Sequence, residues 1–198
     1  MFNRCLSCHE YRADQIVEER ENNAVAICPV CRHEHPFVMQ PLMIICGASA
    51  VGKTTTGQLL PQLLADLVVT MEADILYMGQ PIEPYSEMWL RVCKNIGQSG
   101  KPVLLSANGM IPQNVEPCVE RRYFSKVHYL AFTCERETQI ARLSKRDGRT
   151  EDDNPQIDFN HWIREESGLE LLDTTHLSVE ESAEKVRAWV MRCLARSR

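Results

Sequence analysis

Short apolar runs alternate with helical periodicity along most of the chain. In the helical segments apolar side chains recur every three or four residues, as in residues 85–96, a spacing typical of amphipathic helices. Between them lie short apolar runs bounded by turn residues, which predict five buried strands at residues 42–46, 67–71, 101–107, 127–132 and 170–174. This alternation predicts an α/β fold with a parallel sheet covered by helices on both sides.

Helix signals add detail to this pattern. Helices are predicted after residue 53, over residues 112–124, from residue 135 to about 146, and after residue 178. The last begins at Ser178-Val179-Glu180-Glu181, which fits a capping box. Pro61 falls about two turns into the first of them, where a missing N–H predicts a kink or a restart.

The first 40 residues follow a different pattern. Two C-x-x-C pairs, Cys5/Cys8 and Cys28/Cys31, flank residues 9–27, whose apolar arms and central polar turn predict a β-hairpin. Such a hairpin brings four thiolates onto one tetrahedral metal, so the spacing predicts a zinc ribbon. The alternatives are a redox dithiol and four free cysteines. Three nearby histidines are interpreted as bystanders because the thiolates fill four positions: His9, His33 and His35.

A phosphate-binding motif follows the first strand of the remaining chain. Residues 47–54, G-A-S-A-V-G-K-T, fit G-x-x-x-x-G-K-[ST] at every defined position. Backbone N–H groups of such a loop cradle nucleotide phosphates, its lysine reaches the β and γ oxygens, and its hydroxyl ligates Mg²⁺. The strand before it and the helix after it disfavour an ordinary glycine turn. The predicted nucleotide contacts are Gly47, Ala50, Val51, Gly52, Lys53, Thr54 and Thr55.

Two acidic residues end the second strand. Glu72 and Asp74 stand at i and i+2 near the carboxyl end of that strand, where open α/β sheets bind their ligands. The alternative is a pair of solvated turn acids. The third strand runs into Ser106-Ala107-Asn108 without an acid, so it lacks the carboxylate that many motor-type NTPases use to position Mg²⁺.

Arginines mark a second functional segment. Arg142, Arg146 and Arg149 recur at i, i+4 and i+7, so they share one face if the helix persists. They lead into a polar stretch, which favours a lid around residues 143–160 that closes over phosphates. The alternative is a solvated helix end, where cations are also favourable.

Composition bounds the possible functions. The chain has 198 residues, 44% hydrophobic and 25% charged, with a net charge of −5, so no global charge attracts nucleic acid or an anionic membrane. Residues 1–40 carry four arginines and six acids, which argues against nucleic-acid binding and favours a structural role or a protein contact. No run approaches the ~18 apolar residues of a membrane span, and no signal peptide is visible, so we expect a cytoplasmic protein. The five remaining cysteines are interpreted as reduced core thiols: Cys46, Cys93, Cys118, Cys134 and Cys193.

Residues 42–194 resemble the small P-loop kinases, such as shikimate, gluconate and adenylate kinases. The resemblance rests on the phosphate loop, E-A-D at 72–74, R-L-S-K-R-D-G-R at 142–149 and D-T-T-H-L-S-V-E-E at 173–181. It implies a P-loop NTPase three-layer sandwich with a five-stranded parallel sheet in the order 2-3-1-4-5. The expected organisation is a zinc ribbon over residues 1–40 and a kinase-like domain over residues 41–198.

The resemblance also implies a reaction. Lys53 and Thr54 would hold the phosphate and Mg²⁺ of ATP, and Glu72 would lie near that metal. Asp74 resembles the carboxylate that binds or deprotonates an acceptor hydroxyl. The expected function is transfer of the γ-phosphoryl group to a hydroxyl or phosphate of a nucleoside, nucleotide or small metabolite, with structural Zn²⁺ in the ribbon.

The base and lid contacts come from the same resemblance. Arg142 would lie against adenine, and the loop around Thr174 and Thr175 would border the base. Arg146 and Arg149 resemble lid arginines that neutralise the transferring group. Shikimate kinases place an aspartate at position 72 and glycines along 106–109, of which only Gly109 is present, so the acceptor is not expected to be shikimate-like.

The alternative function is a nucleotide-dependent module whose ribbon contacts a protein or nucleic-acid partner.

Overall fold

The computed structural model describes residues 3–20, 23–76, 82–147 and 154–196. Its N-terminal part is an antiparallel sheet of β1 (Ile16–Arg20), β2 (Asn23–Ile27) and β3 (Glu34–Phe37), with β2 in the middle. We refer to residues 3–20 and 23–37 as the ribbon. The predicted hairpin is present, and residues 21–22 of its expected turn lie outside the described residues.

Strand β3 lies outside the predicted hairpin and adds a third strand to it. The strand alternates between inside and outside, with His35 and Phe37 buried and Glu34 and Pro36 exposed. One of the two buried positions holds a histidine rather than an apolar residue. The alternation of apolar and polar side chains that is typical of a half-buried strand is therefore not visible in the sequence.

A five-stranded parallel sheet forms the rest of the molecule. Its strands are β4 (Leu42–Cys46), β5 (Val69–Glu72), β6 (Val103–Ser106), β7 (Val127–Thr133) and β8 (Glu170–Asp173). They pair in the order β5-β6-β4-β7-β8. Counted along these five strands alone, this is 2-3-1-4-5, as the resemblance implies; the labels differ because three ribbon strands come first. The fully buried β4 lies at the centre, so the loop after it emerges between β6 and β7.

Helices cover both faces of this sheet. They are α1 (Lys53–Gly57), α2 (Leu60–Leu63), α3 (Ile82–Gly97), α4 (Pro112–Val115), α5 (Arg136–Asp147), α6 (Pro155–Glu165) and α7 (Val179–Ala195). Alternate residues of β4 contribute to two separate cores. Leu42 and Ile44 pack with Trp89 of α3 on one face, whereas Met43 and Ile45 pack with Trp189 of α7 on the other. The expected three-layer sandwich is therefore present.

Several helix boundaries have simple causes. The capping box at Ser178 is formed, and the helix interrupted near Pro61 restarts as α2. The helix predicted over 112–124 is wrong as one piece, because Pro117 separates α4 from a 3-10 segment at Val119–Tyr123. Helix α6 was missed although Asn154 caps it and Pro155 fills its first turn. In the described part of the chain, every helix is too short or too polar to cross a bilayer.

Candidate functional site

The loop of residues 47–54, here called the phosphate loop, connects β4 to α1. Gly47 has φ +144°, and a Cβ at this position would lie 2.5 Å from the carbonyl oxygen of Phe132. Gly52 has φ +100° and directly precedes α1. Glycine adopts these conformations without the steric cost that a side chain would impose. The two motif glycines therefore let the loop pass close to β7 and turn into α1.

Lys53 folds back over this loop. Its Nζ donates to the carbonyl oxygens of Gly47 and Ala48, both at 2.7 Å. Burial lowers the pKa of Lys53 to about 8, even though the nearby Asp74 carboxylate favours the charged form. A partly buried ammonium beside loop carbonyl oxygens has an electrostatic reason to bind an anion.

Glu72 and Asp74 reach the same cleft from the end of β5. The Thr54 hydroxyl donates to Glu72 Oε1 at 2.8 Å, which joins the start of α1 to the second strand. Trp89 Nε1 donates to the carbonyl oxygen of Ala73 at 3.1 Å, so a buried α3 side chain fixes the backbone between the two acids. A hydroxyl beside a carboxylate offers the hard oxygen ligands that Mg²⁺ prefers. These residues thus fit the predicted metal.

Lys53, Thr54, Glu72 and Asp74 line one cleft of about 490 Å³, whereas Gly47 and Val51 of the phosphate loop do not line it. One end contains the tips of β5 and β6, and the other end lies between the phosphate loop and α7. The polar and charged side chains that line it include Ser49, Lys53, Thr54, Glu72, Asp74, Ser106, Asn108, Arg142, Arg146 and Thr174. A single cleft therefore brings together most of the residues that the sequence analysis singled out.

Arg142 is fixed at the outer end of the cleft. It donates to the hydroxyl and to the carbonyl oxygen of Thr174, both at 3.0 Å. The Thr174 hydroxyl in turn donates to the carbonyl oxygen of Val51 at 2.8 Å. The guanidinium is therefore held beside the phosphate loop.

The other predicted residues of this region differ in position. Arg146 is exposed and lines the cleft. Thr175 does not line it; its hydroxyl accepts from the backbone N–H of Glu135 at 2.8 Å and donates to Asp173 at 2.5 Å. Arg149 and residues 148–153 of the predicted lid lie outside the described residues.

Three amide side chains that sequence reasoning missed surround the phosphate loop. The Ser49 N–H donates to Gln156 Oε1 at 2.8 Å, and Asn108 Nδ2 lies 3.2 Å from the same oxygen. Gln139 Nε2 donates to the carbonyl oxygens of Ser49 and Gln156 at 3.0 and 2.9 Å. Helices α5 and α6, which contain the described parts of the predicted lid, are thereby joined to the phosphate loop. No motif marks these residues, although the cap at Asn154 could have located the start of α6.

The ribbon brings its four cysteines together. Their Sγ atoms lie within 4.8 Å of one another, with 3.5 Å between Cys5 and Cys31 and 3.7 Å between Cys8 and Cys28. A tetrahedral zinc with ~2.3 Å bonds places its sulfurs ~3.8 Å apart, so the cluster fits a zinc ribbon. No histidine belongs to this cluster among the described residues, consistent with their interpretation as bystanders.

Both cysteine pairs have the same backbone geometry. After each pair one residue has a positive φ of 63°, His9 in the first turn and Arg32 in the second. The first cysteine of each pair donates its N–H five residues ahead, Cys5 to Glu10 and Cys28 to His33, both at 2.9 Å. Two equivalent turns therefore face each other across the sulfur cluster.

The ribbon is attached to α3 by buried polar contacts. Glu120 is fully buried and accepts from Asn3 Nδ2 at 2.8 Å and from Lys94 Nζ at 2.5 Å. Lys94 also donates to Asn3 Oδ1, and the Tyr123 hydroxyl donates to the carbonyl oxygen of Ala13. The ribbon thus packs against α3 and the 3-10 segment of the same chain. This is a structural contact, one of the two roles that the charge of residues 1–40 favours.

Comparison with solved structures identifies the architecture. A sugar kinase from Janibacter sp. HTCC2649 superposes with a TM-score of 0.56, covering 77% of this chain and 94% of that chain at 17% identity. The chain has the fold of a P-loop kinase. A gluconokinase from Sinorhizobium meliloti 1021 gives a TM-score of 0.52 at 16% identity, covering 78% and 94% of the two chains. Shikimate kinase from Acinetobacter baumannii, in complex with shikimate, gives 0.51 at 18%, covering 77% and 94%.

No protein-family model matches the chain, and no curated protein matches its sequence. At identities below one fifth the structural likeness concerns the fold, so the reaction has to be inferred from the cleft itself.

Proposed function

We propose that this chain is an ATP- and Mg²⁺-dependent small-molecule kinase, which transfers the γ-phosphoryl group to a hydroxyl or phosphate of a nucleoside, nucleotide or small metabolite. The observation that carries the proposal is the shared cleft, in which the phosphate loop with Lys53 faces Glu72 and Asp74. A site for a polyphosphate and a pair of acids that can orient an acceptor are therefore adjacent.

The residues divide the work as follows. The N–H groups of the phosphate loop and Lys53 bind the phosphates, and Thr54 with Glu72 would hold Mg²⁺. When bound, this metal neutralises charge on the phosphate oxygens. Asp74 orients the acceptor hydroxyl and accepts its proton. Catalysis of this kind is mostly positioning and electrostatic stabilisation rather than covalent chemistry.

Arginines would complete the site from the lid side. Arg142, which donates to Thr174, would lie along the nucleotide base. Arg146, on the cleft wall, and Arg149 would neutralise the transferring phosphoryl group when the lid closes. In the ribbon, Cys5, Cys8, Cys28 and Cys31 would hold a structural Zn²⁺, as their spacing supports.

Two substitutions test this function. Lys53→Ala is expected to abolish ATP turnover with every acceptor, while Lys185→Ala, an exposed lysine of α7, leaves it unchanged. Asp74→Asn is expected to lower kcat by ~10²–10⁴-fold with little change in ATP affinity, because it removes the proton acceptor and not a phosphate ligand. Asp66→Asn, at an exposed turn, is the matched control. Full activity of Lys53→Ala, or equal losses of rate and ATP affinity in Asp74→Asn, would contradict the assignment.

A nucleotide-dependent interaction module is the second candidate. Exposed apolar side chains at both cysteine turns favour it, since Leu6 is 72% and Val30 is 55% exposed. In that case ATP occupancy would control a ribbon contact without acceptor chemistry. A screen of ATP consumption against nucleosides, nucleotides and sugar acids separates the two, because only a kinase shows an acceptor-stimulated rate.

A further inference from the structure

The end of the cleft opposite Arg142 is the place for the acceptor under the proposed function. The phosphate loop and the Arg142–Thr174 pair occupy the nucleotide side, which leaves the carboxyl ends of β5 and β6 for the second substrate. The described residues that line this end are Glu72, Asp74, Ser106, Ala107 and Asn108. They are acids, small residues and one amide.

The two segments that follow β5 and β6 contain no basic residue. Residues 72–90, which follow β5 and run into α3, include no lysine, arginine or histidine but four acids. Residues 106–115, which follow β6, likewise include no basic residue. The absence of basic residues is a property of the amino-acid sequence of both segments, so it does not depend on which of their residues approach the substrate.

Basic residues of neighbouring elements are occupied elsewhere. On α3, Arg91 and Lys94 both contact Glu120 beneath the ribbon. After α4, Arg121 contacts Glu116, and Arg122 donates to the carbonyl oxygen of Gln15. The described cations on the cleft wall are Lys53, Arg142 and Arg146, which the phosphates and the base of ATP require.

The amide at this end has a definite orientation. Asn108 Nδ2 donates to Gln156, so its Oδ1 points away from that contact, and this oxygen has no hydrogen-bond partner although it is inaccessible. An amide side chain carries no charge, so Asn108 adds no cation to this end of the cleft.

We propose that the acceptor is a hydroxyl compound without an anionic group, either an uncharged polyol or nucleoside or its amine-bearing analogue. A carboxylate or phosphate here would face Asp74, while the nearest cations, Lys53 and the proposed Mg²⁺, bind the phosphates of ATP. Such like-charge contact is unfavourable. In the step itself, the acceptor oxygen bonds to the γ phosphorus, its proton passes to Asp74, and the bond to the β–γ bridging oxygen breaks to release ADP. This inference rests on the proposed function and narrows it to hydroxyl acceptors.

The test compares related acceptors that differ in whether they carry an anionic group. The pairs are gluconate with glucitol, glucose 6-phosphate with glucosamine, and AMP with adenosine, each assayed with the full chain, ATP and Mg²⁺ for ADP release. We expect kcat/KM at least ~10-fold higher for the uncharged or amine-bearing member, about the effect of 1.4 kcal/mol. A higher value for the anionic members would overturn the inference while leaving the kinase intact.

A second measurement covers the case in which no pair is turned over. The melting temperature is then recorded for each compound in the presence of a non-hydrolysable ATP analogue, and larger stabilisation by the anionic member, or no preference at all, counts against the inference. Binding of the analogue to the wild type, absent in Lys53→Ala, shows separately that the nucleotide site is intact. Asn108→Arg is expected to shift the preference toward the anionic member, and Gln113→Arg, exposed on α4, is expected not to.

Discussion

Replacing Glu120 with alanine removes the carboxylate that holds the ribbon to the rest of the chain. Glu120 is 0% exposed and Lys94 is 3% exposed, so the substitution leaves a lysine ammonium in the interior beside Tyr123 without its ion-pair partner. Asn3 loses its acceptor as well. The consequence should be a loss of stability that starts at the ribbon interface.

The size of the effect follows from the burial. Removing one partner of a buried ion pair costs ~3–5 kcal/mol, because the other charge remains desolvated. In a chain of this length each kcal/mol lowers Tm by ~2–4 °C, which predicts a decrease of ~6–20 °C. The Arg91 contact adds little, since the Arg91 side chain is 41% exposed.

Thermal unfolding in zinc-containing buffer measures this difference. Glu184→Ala is the control, because Glu184 pairs with Arg187 on the surface at 3.4 Å and such a pair contributes less than ~1 kcal/mol. Adding Lys94→Met to Glu120→Ala should recover part of the lost stability, since it removes the buried charge that Glu120 no longer neutralises. If Glu120→Ala is no less stable than Glu184→Ala, the buried pair does not anchor the ribbon.

The remaining predictions concern the phosphate loop and the metal. Burial lowers the pKa of Lys53 to about 8, and bound ATP favours the charged form of this lysine. The affinity for ATP should therefore fall as pH rises through about 8, and ATP binding should take up protons. Calorimetry in buffers of different ionisation enthalpy tests this, and no proton uptake at about pH 8.5 would count against it. Gly47→Ala should abolish ATP binding or folding, because its Cβ would meet a backbone oxygen at 2.5 Å, whereas Gly100→Ala has open space and should cost less despite its positive φ; equal effects on ATP binding would refute this. Gln156→Ala should raise KM for ATP and accelerate proteolysis near residue 150, as the loop loses its tie to α6; unchanged values of both would show that the tie is incidental. A chelator should release one zinc per chain and lower Tm, with Cys28→Ser as the matched variant, and zinc-free wild type of equal stability would exclude a structural metal.

Local motifs explain why so much of this molecule could be predicted. The phosphate loop and the C-x-x-C pairs are fixed by a few adjacent residues, because backbone geometry and metal chemistry allow few alternatives at those spacings. The strands of the parallel sheet are buried on both faces and so appear as continuous apolar runs. Even the restart of the helix at Pro61 follows from one missing N–H.

The missed features depend on contacts between distant segments. Gln156 reaches the Ser49 N–H across 107 positions of sequence, and nothing near either residue indicates the pairing. Likewise, the sequence around Glu120 indicates a surface acid on a polar helix. Only the folded chain brings Lys94 and Asn3 into contact with its carboxylate. Burial of a charge is a property of the assembled fold, so a pattern of polar and apolar positions does not reveal it.

The attachment of the ribbon also determines which wall of the cleft can move. Helix α3 carries Trp89, which bonds to the backbone between Glu72 and Asp74, and about one turn later carries Lys94, which is fixed under the ribbon. A rotation of α3 into the cleft would strain the Lys94–Glu120 pair, which therefore resists movement of this wall. Under the proposed kinase function we expect closure to come from the Arg142 side, onto an acceptor wall whose rigidity depends on the folding of the N-terminal ribbon.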